Sequence, residues 1–188
     1  MLDCVKDRRS SREKILDAAA ELVREIGSGR LTLDAVAERA GLSKGGLLYN
    51  FKSKDALMQA MIQRLIDEAQ AEKEHLRAEG PQGPNLEARL CVAACLKMRN
   101  GKMREIANGM LAASSENPAL LEPVRRVLGE VLQNLKQSSE DPEAALLAWL
   151  AVEGLNSMAM HDISPFSEAD CEMVAQAAQR LLDKGIAR

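Results

Sequence analysis

Few side chains in this sequence are equipped to make or break bonds, but one short stretch is well equipped to hold an anion. Thr32, Ser43, Lys44, Tyr49, Asn50 and Lys54 bring hydroxyl, ammonium, phenol and amide groups close together along the chain. These are the groups that hydrogen-bond phosphate oxygens, and a lysine such as Lys44 can equally reach a guanine edge. Gly45 and Gly46 stand among them and would let a backbone come close to a duplex. A helix starting at Thr32 would add its free N–H groups to the same task. Arg8, Arg9 and Arg12 lie upstream and could form a basic arm. Tyr49 has two readings: a phosphate ligand, or a packing wedge between a short helix and the next one.

The material for catalysis is thin. The chain has 2 His, no glycine-rich phosphate cradle at a strand–helix junction and no Gly-x-Ser-x-Gly. These features argue against an enzyme and against a bound cofactor. Cys91 and Cys95 lie one helical turn apart and could supply two metal ligands, but a structural site wants four. His75 and His161 are isolated in sequence. Both cysteines are better explained as small core residues, so no metal is expected.

A second group of polar residues lies within apolar helical sequence: Asn108, Glu153 and Asn156. A buried polar group needs a partner. That partner is either a neighbouring helix or solvent, or else a small-molecule effector. Met98, Met103, Met110 and Leu111 could complete an adaptable lining around such a molecule. Trp149, Tyr49, Phe51 and Phe166 are the only aromatic residues, too few for a stacking cage. The expected effector is therefore mostly aliphatic or modestly polar.

These groups must be positioned by helices. Of the 188 residues, 46% are hydrophobic and only 2% aromatic, so Leu, Ala, Val, Ile and Met do the packing. The fold class expected is all-α, a three-helix head on a larger helical body. Ser10 and Glu13 fit a capping box, followed by Ile15, Ala19, Leu22 and Ile26 on one face and a stop at Gly27-Ser28-Gly29. Thr32 caps a short second helix, Gly41 breaks it, and Ser43 caps a third that ends near Asn50-Phe51. Ser53 caps a long fourth helix reaching about Glu79. Gly80-Pro81-Gln82-Gly83-Pro84 is a loop, and further helices are expected over 85–99, 102–115, 118–137, 142–160 and 168–184.

Charge divides the chain. Residues 1–54 carry 11 Lys+Arg against 8 Asp+Glu, and the rest carry 14 against 20. A basic head on an acidic body suits a protein that meets phosphate at one end only. The domains expected are 1–54 for DNA and 55–188 for sensing and dimerisation. No secretory signal or membrane-length apolar run is visible, so no membrane partner and a cytoplasmic location are expected.

The run Leu31 to Lys54, LTLDAVAERAGLSKGGLLYNFKSK, places two short helices around a glycine turn, with Val36, Ala40, Leu42 and Leu47 as a small apolar centre. This is the helix-turn-helix pattern, whose second helix enters the major groove. Gly41-Leu42-Ser43-Lys44-Gly45-Gly46-Leu47, followed by Phe51-Lys52-Ser53-Lys54, resembles the TetR family of bacterial regulators over about residues 10–60. The resemblance implies a DNA-binding head, a helical body, and a dimer whose grip on double-stranded operator DNA changes with a bound effector, mostly as a repressor. It also implies that Lys54 grips phosphate. Many family members have Tyr at the position of Leu48 and an aromatic residue or His next. Here Leu48, Tyr49 and Asn50 stand instead, so the aromatic role falls on Tyr49.

Dimerisation is read from the last two helices. The 142–160 helix is apolar nearly all round, and a helix of that kind must be covered on all sides. Leu147, Leu150 and Gly154, with Cys171, Val174, Ala178 and Leu181 of the last helix, are the expected homodimer interface, two helices from each subunit. The alternative is a helical protein-interaction module whose head binds another protein. Salt-dependent binding to its own promoter would distinguish the regulator.

Overall fold

The computed structural model describes residues 10–80, 83–98, 106–109, 111, 114 and 117–186, and every regular element among them is helical. Four helices build the first part: α1 (Ser11–Ile26), α2 (Leu33–Arg39), α3 (Lys44–Asn50) and α4 (Lys54–Glu79). Each starts on a hydroxyl. Ser10 Oγ accepts from Glu13 N at 3.2 Å while Glu13 Oε2 accepts from Ser10 N at 2.9 Å, the reciprocal box expected from the sequence. Thr32, Ser43 and Ser53 cap α2, α3 and α4 in the same way. Gly41, at φ 67, makes the turn between α2 and α3, where a side chain would be strained.

Ile15, Ala19 and Leu22 of α1 meet Val36 and Ala37 of α2, Leu47 of α3, and Leu57, Met58 and Met61 of α4 in one buried core. Leu120, from much later in the chain, belongs to the same core, and Ile106 and Val124 pack against it. A Cβ added at Gly109 would overlap the Val23 side chain of α1. The head is thus seated on the body over a broad apolar contact.

The body holds α5 (Leu86–Met98), a 3-10 turn (Pro118–Leu121), α6 (Glu122–Ser138), α7 (Pro142–Met160) and α8 (Glu168–Lys184). The helix expected over 102–115 lies largely outside the described residues, although 106–109 are helical. The helix expected over 118–137 begins instead with the 3-10 turn, capped by Asn117 through Ala119 N. Pro123 then sits in the first turn of α6, where its missing N–H has no partner to lose. Ala145, Ala148 and Val152 let α7 sit close to Ala88 and Val92 of α5, Leu135 of α6, and Ala178 and Leu182 of α8.

A buried polar knot locks three segments of the body. Asn85, left-handed at φ 56, donates Nδ2 to Leu182 O at 2.9 Å and accepts Glu140 N and Asp141 N on Oδ1 at 2.9 and 3.3 Å. Asp141 caps α7 through Ala144 N and also accepts Ile186 N at 2.9 Å. Arg89 ties Pro84 O, Gln179 and Asp183 together. The start of α5, the turn before α7 and the end of α8 therefore share one set of partners.

Removing the Asn85 amide leaves one carbonyl and two N–H groups without their partner. Asn85→Ala is expected to lower stability by about 3 kcal/mol in a urea titration, since orphaned buried groups carry their desolvation cost. A loss of less than about 1 kcal/mol would show that the knot is peripheral.

Candidate nucleic-acid interface and effector cavity

α3 has two sharply different sides. Leu47 is buried in the head core, and Gly45 and Tyr49, two residues either side of it, turn to the opposite face. Tyr49 is 83% exposed, so it is not a packing wedge in this chain. Gly45 has no internal reason to be glycine: a Cβ there would meet nothing nearer than Ser43 Oγ at 4.0 Å. Glycine in a helix is less favourable than alanine by up to about 1 kcal/mol. A bare backbone that the fold does not require points to something outside that must come close.

The other candidate contacts frame this face. Ser43 caps α3 by accepting Gly46 N at 3.1 Å, and Gly46 stays half-buried beneath it. Lys44 Nζ pairs with Asp34 at 2.9 Å, with both side chains about two-thirds exposed, so the pair is weak and open to exchange. Thr32 caps α2 through Ala35 N at 3.2 Å. Lys54 Nζ donates to Gly29 O at 3.2 Å, which brings it to the loop leading into Thr32. Asn50 has a structural job: its Nδ2 donates to Gly46 O at 2.9 Å and to Ser11 Oγ at 3.4 Å, fastening α3 to the start of α1. Arg12 lies over the Phe51 ring at 5.4 Å, whereas Arg8 and Arg9 lie outside the described residues.

A cavity of about 330 Å³ lies in the body directly behind the head. Its walls are aliphatic side chains of α4 and α6, such as Ile62, Ile66, Val124 and Leu128, and its polar edge is Gln70, Lys73, Cys91, Cys95 and Glu153. Of the residues expected to line an effector site, Leu111 and Glu153 do so. Asn108 does not, because it points to solvent and its neighbour Ala107 faces the cavity instead. Asn156 also stands apart from the wall: its Nδ2 donates to Cys95 O at 2.9 Å. The Met98 side chain, Met103 and Met110 lie outside the described residues. Trp149 lines the cavity, which the sequence alone did not reveal; its place one turn before Glu153 was the available signal.

The polar edge is electrostatically ordered. The hydrogen bond from Arg77, helped by Lys73, holds Glu87 down at about 2. Burial opposes the Lys73 charge, but Glu87 at 2.9 Å and the nearby Cys91 outweigh it, and Lys73 titrates above its usual value. Burial pushes the Cys91 thiol up. Burial, and then the Glu153 charge, pushes Cys95 up further, and Cys95 Sγ donates to Glu153 Oε1 at 3.0 Å. The Cys95 thiol is thus protonated. Among the described residues no three His, Cys, Asp or Glu side chains gather to hold a metal ion, and no helix is long and apolar enough to cross a membrane.

The expected subunit interface needs correction on α8. Leu147 and Leu150 of α7 are 53% and 56% exposed, with Gly154 half-buried on the next turn. Cys171 and Ala178 are buried by the chain itself, and Val174 and Leu181 are half-buried. The apolar stripe read on the last helix is mainly its inward face. Met173 and Ala177 stand outward instead. Periodicity locates an apolar stripe but does not say what covers it.

Comparisons with known proteins fit this geometry. Residues 15–61 match the family described as bacterial regulatory proteins, tetR family, and residues 83–183 match that described as tetracyclin repressor-like, C-terminal domain. The HTH-type transcriptional regulator BetI of Stenotrophomonas maltophilia is 26% identical over 143 residues, 73% of this chain and 73% of that protein. The regulator of the same name from Burkholderia thailandensis is 31% identical over 87 residues, covering 46% of this chain and only 45% of its own length. A solved TetR-family structure from Streptomyces coelicolor shares the fold, with a TM-score of 0.72 at 23% identity, over 93% of this chain and 99% of that one.

Two substitutions separate the outward face of α3 from its packing. Tyr49→Ala and Gly45→Ala should leave thermal stability unchanged within about 0.5 kcal/mol, or raised for Gly45→Ala. Both should weaken binding to a duplex selected from a random-sequence pool, measured by anisotropy. Unchanged duplex affinity in both variants would remove this face from the interface.

Proposed function

The chain belongs to the TetR family of bacterial transcriptional regulators, and from that premise we propose that it is a repressor released from operator DNA when a small molecule enters the body cavity. Residues 1–54 act as the DNA-binding part and residues 55–188 as the sensing and dimerising part. The observation that carries the reading is the outward face of α3, where Gly45 leaves bare backbone beside an exposed Tyr49. A helix of this kind enters the major groove, with Lys44, Ser43 and Thr32 offering groups to base edges or phosphate and Lys54 a charge to phosphate. The chain acts in the cytoplasm by binding rather than by catalysis, and it uses no cofactor.

Two heads are needed to read a two-fold operator, with half-sites about 34–36 Å apart. The outward apolar face of α7 and α8, with Leu147, Leu150 and Met173 exposed, supports a second copy as the cover. An effector that fits only one spacing of the heads shifts the population toward that spacing. α4 supports this coupling, because Ile62 belongs to the head core and to the cavity wall at once.

The test is an operator titration by anisotropy across a range of salt concentrations. A steep fall of affinity with salt is expected, and Lys54→Ala should reduce the log–log slope by about one, one phosphate contact fewer. A salt-independent association, or none with any selected duplex, would overturn the reading. Leu150→Glu should convert dimers to monomers in sedimentation and lower operator affinity, while an unchanged dimer would place the interface elsewhere.

A further inference from the structure

We propose that the effector is an aliphatic cation, a protonated amine or quaternary ammonium whose nitrogen lies against Glu153 and Trp149 and whose alkyl chain runs along the walls of α4 and α6. The proposal rests on the reading of the cavity as the effector site. Its ground is the balance of charge around that cavity. Lys73, the one cation on the wall among the described residues, is already matched by Glu87 at 2.9 Å. Glu87 is matched again by Arg77, and Arg77 also meets Glu74 at 3.2 Å, so this cluster of two cations and two carboxylates closes on itself. Glu153 has no such match among the described residues. Among the described residues its polar partner is the Cys95 thiol, a weak neutral donor.

A carboxylate facing an apolar cavity without a counter-charge is unfavourable, and a cation that enters supplies what it lacks. Trp149 strengthens the choice of sign. It lies four residues before Glu153 on α7, on the same face, and both line the cavity. The face of an indole beside a carboxylate attracts a cation through its ring quadrupole. The remaining wall is aliphatic and the volume is at the small end for a ligand pocket, which suits a slender chain rather than a fused ring system. The Cys95 bond holds the Glu153 carboxylate at the cavity edge before any ligand arrives.

Trp149 is the only tryptophan, so its emission reports the cavity directly. Octylamine, octyltrimethylammonium, octanol and octanoate are each titrated into the full-length protein. At least one of the two cations should bind ten times more tightly than both octanol and octanoate, and the tighter cation identifies the head group. Glu153→Gln, which can still accept the Cys95 hydrogen bond, should abolish that preference, and Glu153→Asp should keep it. A smaller preference, or one that survives Glu153→Gln in a protein of unchanged circular dichroism, overturns the proposal; if the variant misfolds, the ranking of the four ligands on the wild type decides alone. Operator anisotropy with the same ligands separates this proposal from the switch on which it rests. Cation preference with unchanged operator affinity keeps the ligand chemistry and removes the switch, whereas release of DNA by octanoate alone keeps the switch and removes the cation.

Discussion

One helix, α4, belongs to two cores at once, and the rest of the molecule is arranged around that constraint. Its first turns put Leu57, Met58 and Met61 into the head. Its middle turns put Ile62, Leu65 and Ile66 on the cavity wall. Near its end, Leu76 packs with Leu90 and Ala94 of α5. Twenty-six residues of helix span about 39 Å, and a hydrogen-bonded helix of that length does not bend freely. Arg64, between the two regions, donates to Asp17 at 2.7 Å and reaches Leu16 O at 3.3 Å on α1. A displacement of the cavity wall is therefore a displacement of a strut that the head core also holds.

The electrostatic layout follows the same division of labour. In the head, charges stay near the surface: Arg39 of α2 meets Glu25 at 2.7 Å and Glu21 at 3.3 Å on α1. In the body, charged groups are drawn inward and must be matched. Arg89 is nearly buried and answers to Asp183, Gln179 and Pro84 O, while Glu87 is held ionised by two cations. The knot around Asn85 does for polar backbone what the alanines of α7 do for apolar surface. It lets helices meet closely while giving the backbone groups of Leu182, Glu140 and Asp141 a partner.

Much of this was legible along the chain because it is local. Hydroxyl caps at Ser10, Thr32, Ser43 and Ser53 act within three residues, and the glycine turn at Gly41 is a property of one residue's backbone. Hence the helix starts and the helix-turn-helix could be read directly. The features that escaped are those made by distant partners. Asn85 and Leu182 are 97 positions apart, and nothing near either residue announces the other. The stripe on the last helix was visible, but its cover was not, and so Cys171 and Ala178 were assigned to a partner when their own chain buries them. Polarity marked Glu153 and Asn156 alike. Only the rotation of α7 against α5 separates the one that faces the cavity from the one that holds Cys95 O.

The pair between Lys44 and Asp34 has a consequence for affinity. For a head that meets DNA through α3, Asp34 is a built-in rival to phosphate, standing 2.9 Å from the lysine nitrogen. A loose encounter with arbitrary sequence must detach the lysine from its rival and gains only one non-specific contact in return. It also leaves a carboxylate facing a polyanion. A correctly seated helix adds base-edge contacts to that exchange. On the proposed DNA-binding reading the rival subtracts a small and similar amount from every encounter that detaches the lysine, so it trims affinity for all duplexes alike and leaves the choice among sequences to the base-edge contacts.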